Sequence, residues 1–298
     1  MKPKALVTGA SGMLGRSLLR RWRDRFEVVG TSRSGPNACD LRDRSQTATL
    51  VQKLSPEIII HTAAFSDVDD CEKDTLLAQE TNAIAPQYLA EIRSQKKIPL
   101  VHVSTDYVFD GHKRTPYEEN DATFPVNVYG LTKLGGEYHV RQAGGRSTIV
   151  RTSWLFGPET PSNFVNAIIA RLQSQDLVKV LDDQRDCPTH VDDLSDALEA
   201  IAQDLLASSS KKQTDIYHFC NQGGTTRYDM TAKIRDLMGL KNVRVETLER
   251  ESVQGRLAVR PAFNEMSTKR YQEKFKVSIR PWADALRDYL RQIGLCAS

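Results

Sequence analysis

Residues 4–15, KALVTGASGMLG, decide the fold. The run is apolar until it meets glycine, as a buried strand ending in a tight turn would be. Met13, Leu14, Leu18 and Trp22 then recur at helical spacing. Gly9, Gly12 and Gly15 therefore fall between a strand and a helix. Glycine lets the backbone turn sharply there and approach a pyrophosphate, while the helix start offers free N–H groups and a positive dipole end. The spacing is GxxGxxG and departs from GxGxxG. A purely structural turn is the plainer reading, but the strand-to-helix setting favours a dinucleotide cradle of Gly9, Ser11, Gly12, Met13 and Leu14.

Working outward, FEVVGTS (26–32), EIIIHTAA (57–64), IPLVHVST (98–105) and STIVRTSWLF (147–156) are further apolar runs, with a long helical stretch near 75–96. Continuous apolar strands alternating with helices predict an α/β fold, a Rossmann-type doubly wound parallel sheet with ligands at the carboxyl ends of its strands. The second half is mixed. SNFVNAIIARLQ and HVDDLSDALEAIAQDLL read as helices, IYHFC (216–220) as a buried strand, and SSSKKQT (208–214) as a polar loop. KNVRVETL and PWADALRDYLRQIG read as a strand and a closing helix. We expect residues 1–152 and 182–220 to form the cofactor-binding domain. Residues 153–181 and 221–298 would form a smaller mixed α/β C-terminal substrate lobe.

Composition narrows the class. The 298 residues can bury a large core, and a net charge of +3 spread along the chain argues against a nucleic-acid partner. No apolar run approaches the ~18 residues of a membrane span. The N-terminus enters a strand at once, without a separate apolar leader, so the expected location is cytoplasmic. Cys39, Cys71, Cys187, Cys220 and Cys296 are odd in number and scattered, without ligand spacing, so reduced thiols and no metal are expected.

The second strand indicates which dinucleotide. NAD sites carry an acid at its end for the ribose 2′-hydroxyl. Here no acid precedes Asp40, and Arg33 stands close by. A guanidinium suits a 2′-phosphate, so NADP is expected, with NADPH preferred over NADH. A solvated loop arginine is the alternative. Asp40 and Leu41 would lie near the adenine, and Ala63, Ala64 and Ser104 would complete the cofactor side.

Within VYGLTK (128–133), Tyr129 and Lys133 are four apart and share one helix face. Free tyrosine titrates near ~10, and a nearby ammonium lowers that value. Such pairs are common by chance. Ser104 and Thr105, however, end a buried strand at the ligand edge, where a hydroxyl would orient a carbonyl beside Tyr129. Donor, tuner, orienting hydroxyl and hydride carrier are the parts a carbonyl reductase needs.

With these residues in view, the chain resembles an extended short-chain dehydrogenase/reductase, and closely the dTDP-4-dehydrorhamnose reductase family. The blocks are TGASGMLG, HTAAFSDVDDCE, STDYVFDG, PVNVYGLTKLGGE, RTSWLFG, NFV, DDQRDCPT, VRP and MSTKR, nearly end to end. The resemblance implies a catalytic Thr105, Tyr129 and Lys133, an NADP-type cofactor also touched by Tyr129 and Lys133, and a nucleotide-linked 4-keto-6-deoxy sugar as substrate. It places Thr105, Asp106, Tyr107, Trp154, Phe156, Asn163, Phe164 and Arg260 on the substrate side, and leaves a homodimer open. Three departures stand out. His61 replaces an asparagine, Asp186 replaces a glycine, and RPAFNEMST is differently filled.

Other polar residues have plainer readings. His61 reads as a strand-end histidine with local bonds, and His102 as a core histidine. The acids at 69, 70, 72 and 74 read as a solvated helix start, PYEEND (116–121) as a surface loop, and Trp22 and Trp282 as packing. Two other functions stay open on this scaffold. A sugar-nucleotide dehydratase or epimerase would carry a second acid after the strand-end threonine, where this chain has Tyr107 following Asp106. A regulatory subunit of methionine adenosyltransferase would bind NADP without turnover.

Overall fold

Ala5, Leu6 and Val7 are fully buried, so the first strand lies inside the sheet with both faces covered. The computed structural model describes residues 1–160, 163–207, 214–249 and 255–296. Six strands form the main sheet: β1 (Lys4–Thr8), β2 (Glu27–Thr31), β3 (Ile58–His61), β4 (Leu100–Thr105), β5 (Ser147–Thr152) and β6 (Thr214–His218). They run parallel in the order β6-β5-β4-β3-β1-β2. The order reverses between β1 and β3, the switch point at which such sheets open a crevice. This is the doubly wound sheet expected from the sequence.

The side-chain alternation of the strands divides the core in two. Ala5, Val7, Ile58, Ile60, Val101 and Val150 face α1 (Met13–Arg21) and α6 (Val191–Ala207). Leu6, Ile59, Leu100 and Ile149 face α2 (Arg44–Leu54), α3 (Ala85–Gln95) and α4 (Val128–Gln142). The stretch expected as one helix near 75–96 contains a wide π turn at Glu80–Ile84. That turn buries Asn82, whose amide bonds the backbone N–H and C=O of Phe65 and the Thr132 hydroxyl. The loop after β3 is thereby pinned to α4.

A second core gathers Phe156, Val165, Ile168, Met230, Ile234, Leu286 and Tyr289. It joins α5 (Phe164–Ser174), α7 (Arg227–Leu237), α9 (Trp282–Gln292) and the parallel pair Leu177–Val180 with Arg244–Thr247. The intervening α8 (Lys269–Phe275) sends Tyr271 into the sheet's core beside Tyr217 and Phe219. The expected polar loop at 208–214 lies, apart from Thr214, outside the described residues. PYEEND is less solvated than expected: Tyr117 is buried, and Glu119 accepts the backbone N–H of His218. Among the described residues no helix is long and apolar enough to cross a membrane, and Cys39, Cys71, Cys187 and Cys220 are buried free thiols.

Candidate active site

One cleft of ≈ 710 Å³ opens at the carboxyl ends of β1 to β5. Its floor is the glycine turn. Gly9 has φ +67°, and a Cβ there would lie 2.7 Å from the Ala63 nitrogen. A Cβ at Gly15 would lie 2.3 Å from the Gly9 oxygen. Gly12 begins α1 with no side-chain cap and no acid in the first turn, which leaves its N–H groups for an anion. These features fit a dinucleotide pyrophosphate. Ser11, Met13, Leu14, Ala63 and Ala64 line the same wall.

At the end of β2 the cleft is bordered by Arg33, Asp40, Leu41 and Arg42. Arg42 was not singled out from sequence. Its Nη2 donates to Asp40 Oδ2 at 2.6 Å, and this bond holds the Asp40 carboxyl below the usual range.

Asn127 caps α4 by accepting the Gly130 N–H at 2.8 Å, so the helix starts where Tyr129 faces the end of β4. Gly130 permits the close approach, since a Cβ there would lie 2.0 Å from the Tyr107 oxygen. Thr105 shares the cleft with Tyr129, accepts the Tyr107 N–H at 3.2 Å and donates to Asp106 Oδ1 at 2.9 Å. Burial raises the Tyr129 pKa above its ordinary value, Thr105 opposes this, and Asp106 and Cys71 add to it. Lys133 lies in the same cleft but donates to the Val103 oxygen at 2.7 Å. Burial pulls it down to about 8 against the field of Glu137. The groups that act on Tyr129 here are thus Thr105, Asp106 and Cys71, while Lys133 acts on His61 and His102. Those two imidazoles stack at 5.2 Å, and His61 Nδ1 meets Thr8 Oγ1 at 2.7 Å, the local bond expected of a strand-end histidine. Ser104 also borders the cleft, but its hydroxyl donates to Glu137 Oε1 at 2.5 Å.

The far wall holds Asp106, Tyr107, Trp154, Asn163 and Phe164. Trp154 has φ +39°, a left-handed backbone that a bulky residue adopts only under constraint. Asn163 caps α5 through its Oδ1, 3.0 Å from the Asn166 nitrogen. Phe156, expected beside the sugar, lies outside the cleft, 1% exposed against His190 and Tyr289. Arg260 also lies outside it. Its guanidinium grips Asp69, with Nη2 2.5 Å from Oδ2, at the edge of a second cavity of ≈ 200 Å³. Asp69 accepts the N–H groups of Leu257 and Ala258 as well; burial would raise it, but these bonds and Arg260 hold it down to about 2. This member of the acidic run is therefore an anchor and not a solvated helix-start charge, whereas Asp67 and Asp74 do cap helices.

Arg227 and Arg256 join Arg260 around the second cavity. Arg227 borders both cavities, with its guanidinium 5.1 Å from the Trp154 ring and 4.7 Å from the Phe164 ring. Neither Arg227 nor Arg256 belongs to a motif, and only the common sign of their charge hinted at a role.

The model of the RmlD substrate binding domain family matches residues 3–294. A probable dTDP-4,6-dihydroxy-2-methyloxan-3-one 4-ketoreductase of Streptomyces antibioticus is 36% identical, covering 95% of this chain and 93% of that protein. A dTDP-4-dehydrorhamnose reductase of Aggregatibacter actinomycetemcomitans is 33% identical, covering 96% and 97%. The crystal structure of the Bacillus anthracis dTDP-4-dehydrorhamnose reductase in complex with NADP superposes with a TM-score of 0.88 at 29% identity, covering 98% of this chain and 100% of that one. A match across almost the whole chain, with relatives above 30% identity over nearly their full length, settles the kinship: the chain belongs to the RmlD family of dTDP-4-dehydrorhamnose reductases.

Proposed function

We propose that this protein is an NADPH-dependent reductase of the 4-keto group of a nucleotide-linked 4-keto-6-deoxy sugar. The observation that carries the reading is that Tyr129, Thr105 and Lys133 line one cleft with the glycine cradle. NADPH, when bound, supplies the hydride. Tyr129 gives the proton to the keto oxygen, and Thr105 holds the Tyr129 hydroxyl in place. Lys133 keeps a positive charge beside the ribose side of the cleft. Trp154 and Phe164 offer apolar faces to the sugar ring, and Arg227, which borders both cavities, supplies positive charge for a diphosphate. Relatives whose names give different ketone substrates support the sugar class without choosing its member.

The deciding experiment follows absorbance at the reduced-nicotinamide band with a panel of dTDP-linked 4-keto-6-deoxyhexoses. Stoichiometric NADPH oxidation with one of them is expected. Product without net oxidation would point to a dehydratase or epimerase. No turnover together with co-purification of a methionine adenosyltransferase would point to the regulatory subunit.

Two expectations follow from charge. Arg33→Ala removes a guanidinium from the rim at the end of β2. It should narrow the preference for NADPH over NADH by about tenfold, the worth of one charge-assisted bond. Lys133 titrates at about 8, so its positive charge disappears as pH rises through that value. kcat/KM should therefore fall on the alkaline side. Lys133→Arg, which stays charged, should move that limb upward even where the rate is lower.

A further inference from the structure

Asp186 is fully buried, at 0% exposure, and neither carboxylate oxygen meets a donor. It lies in the short strand Arg185–Asp186, paired antiparallel with Thr225–Thr226. Asn264 brings it beside the carboxyl of Asp106, 2% exposed in the turn after β4, because its backbone N–H donates to the Arg185 oxygen at 2.8 Å and its Nδ2 to Asp106 Oδ2 at 3.2 Å. Two carboxylates in contact repel, and both oxygens are acceptors unless one carries a proton. Asp106 is bonded on its other sides, by Thr105 Oγ1 at 2.9 Å and Asn264 Nδ2 at 3.2 Å. A chain of contacts therefore runs from the Tyr129 hydroxyl through Thr105 and Asp106 to Asp186.

We propose, on the reading of Tyr129 as proton donor, that Asp106 and Asp186 share one proton, and that its position sets which way the Thr105 hydroxyl points. Thr105 has one proton. With Asp106 ionised and Asp186 protonated, Thr105 donates to Asp106 and its lone pairs accept from Tyr129. Once Tyr129 has given its proton to the keto oxygen, those lone pairs would face a phenolate. Transfer of the shared proton from Asp186 to Asp106 corrects this. The Asp186 O–H bond breaks, an Asp106 O–H bond forms and donates to Thr105 Oγ1, and the Thr105 hydroxyl turns to donate to the Tyr129 oxygen. No proton leaves the chain and no charge is created. Asp106 and Asp186 are positioning residues that act through Thr105.

The surroundings suit this role. Burial pushes Asp106 up to about 6, and Asp186 well above the carboxylate range. Arg227 of α7 is the cation facing Asp186 and only partly offsets this. Tyr107, whose hydroxyl receives Gln184 Nε2 at 3.0 Å, is raised by burial and by both acids, so it stays neutral. Cys187 borders Asp186, and Cys220 is raised first by the neighbouring Cys187 thiol and then by burial, with Asp106 and Glu265 adding to this.

The test combines a spectroscopic and a kinetic readout on the full-length protein. Infrared difference spectra should show a protonated-carboxyl band in wild type at pH 7 that Asp186→Asn lacks. Asp106→Asn, whose amide donates to an ionised Asp186, should lack the same band, which covers the case in which one variant does not fold. In kcat, Asp186→Asn should lose roughly tenfold at unchanged NADPH affinity, as for a lost charge-assisted bond, and the acid limb of kcat/KM near pH 6 should vanish in Asp106→Asn. Absence of the wild-type band, or its persistence in Asp186→Asn, overturns the shared proton. Loss of the band with wild-type kcat and pH profile overturns the link to Thr105. If wild type shows the band but reduces no ketosugar, the functional reading fails and the shared proton stands.

Discussion

Tyr129→Phe should slow ketosugar-dependent NADPH oxidation by about 10²–10⁴-fold, the usual contribution of a placed general acid. The ring would still meet Tyr107 edge-on at its present 5.8 Å, so the wall of the cleft keeps its shape. Only the hydroxyl is lost. NADPH binding, followed by quenching of protein fluorescence, should change little, and the loss should fall on kcat. Burial raises the pKa of Tyr129, so the phenol remains protonated across the working pH range and holds the proton to be donated. A variant that reduces the ketone at the wild-type rate would remove Tyr129 from the mechanism.

Arg151→Leu should cost about 3–5 kcal/mol of stability, the range for breaking a buried ion pair from one side. Arg151 Nη2 lies 2.7 Å from Glu137 Oε2, with side chains 3% and 2% exposed. The guanidinium also lies 5.1 Å from the Phe109 ring. Removing it leaves the Glu137 carboxylate in the interior with the Ser104 hydroxyl as its remaining donor. The change should appear as a lower urea midpoint at constant slope. The double variant Glu137→Leu/Arg151→Leu should recover most of the loss, because the unpaired charge is the costly element. A single-variant loss below about 1 kcal/mol would show that solvent reaches the carboxylate, contrary to this packing.

The sequence carried the sheet and the heart of the cleft because both are local. The glycine turn, the strand end Ser104–Thr105 and the pair Tyr129–Lys133 each lie within a few residues of a recognisable strand or helix. Contacts between distant segments could not be read that way. Asp186 meets Asp106 only because the strand Arg185–Asp186 returns to the turn after β4. Arg227 reaches the cleft from the first turn of α7, after a segment with no motif. Arg260 was expected at the nucleotide sugar for its charge, and Asp69, 191 positions away, claims that charge. Phe156 misled for a geometric reason. Strand alternation would place it on the same face as Trp154, but the left-handed Trp154 backbone breaks the pleat, and Phe156 turns into the second core.

That same backbone stores strain in the wall of the cleft. A left-handed non-glycine residue carries roughly 1–3 kcal/mol of strain that the surrounding structure must overcome. Trp154→Gly would release the strain and also remove the ring that Arg227 covers. Part of the lost packing would thus be offset, and the chain would fold more readily than an alanine variant. Under screening for thermal resistance alone, the left-handed residues Ser55, Lys97 and Lys276, which hold no such ring contact, would drift to glycine before Trp154 does.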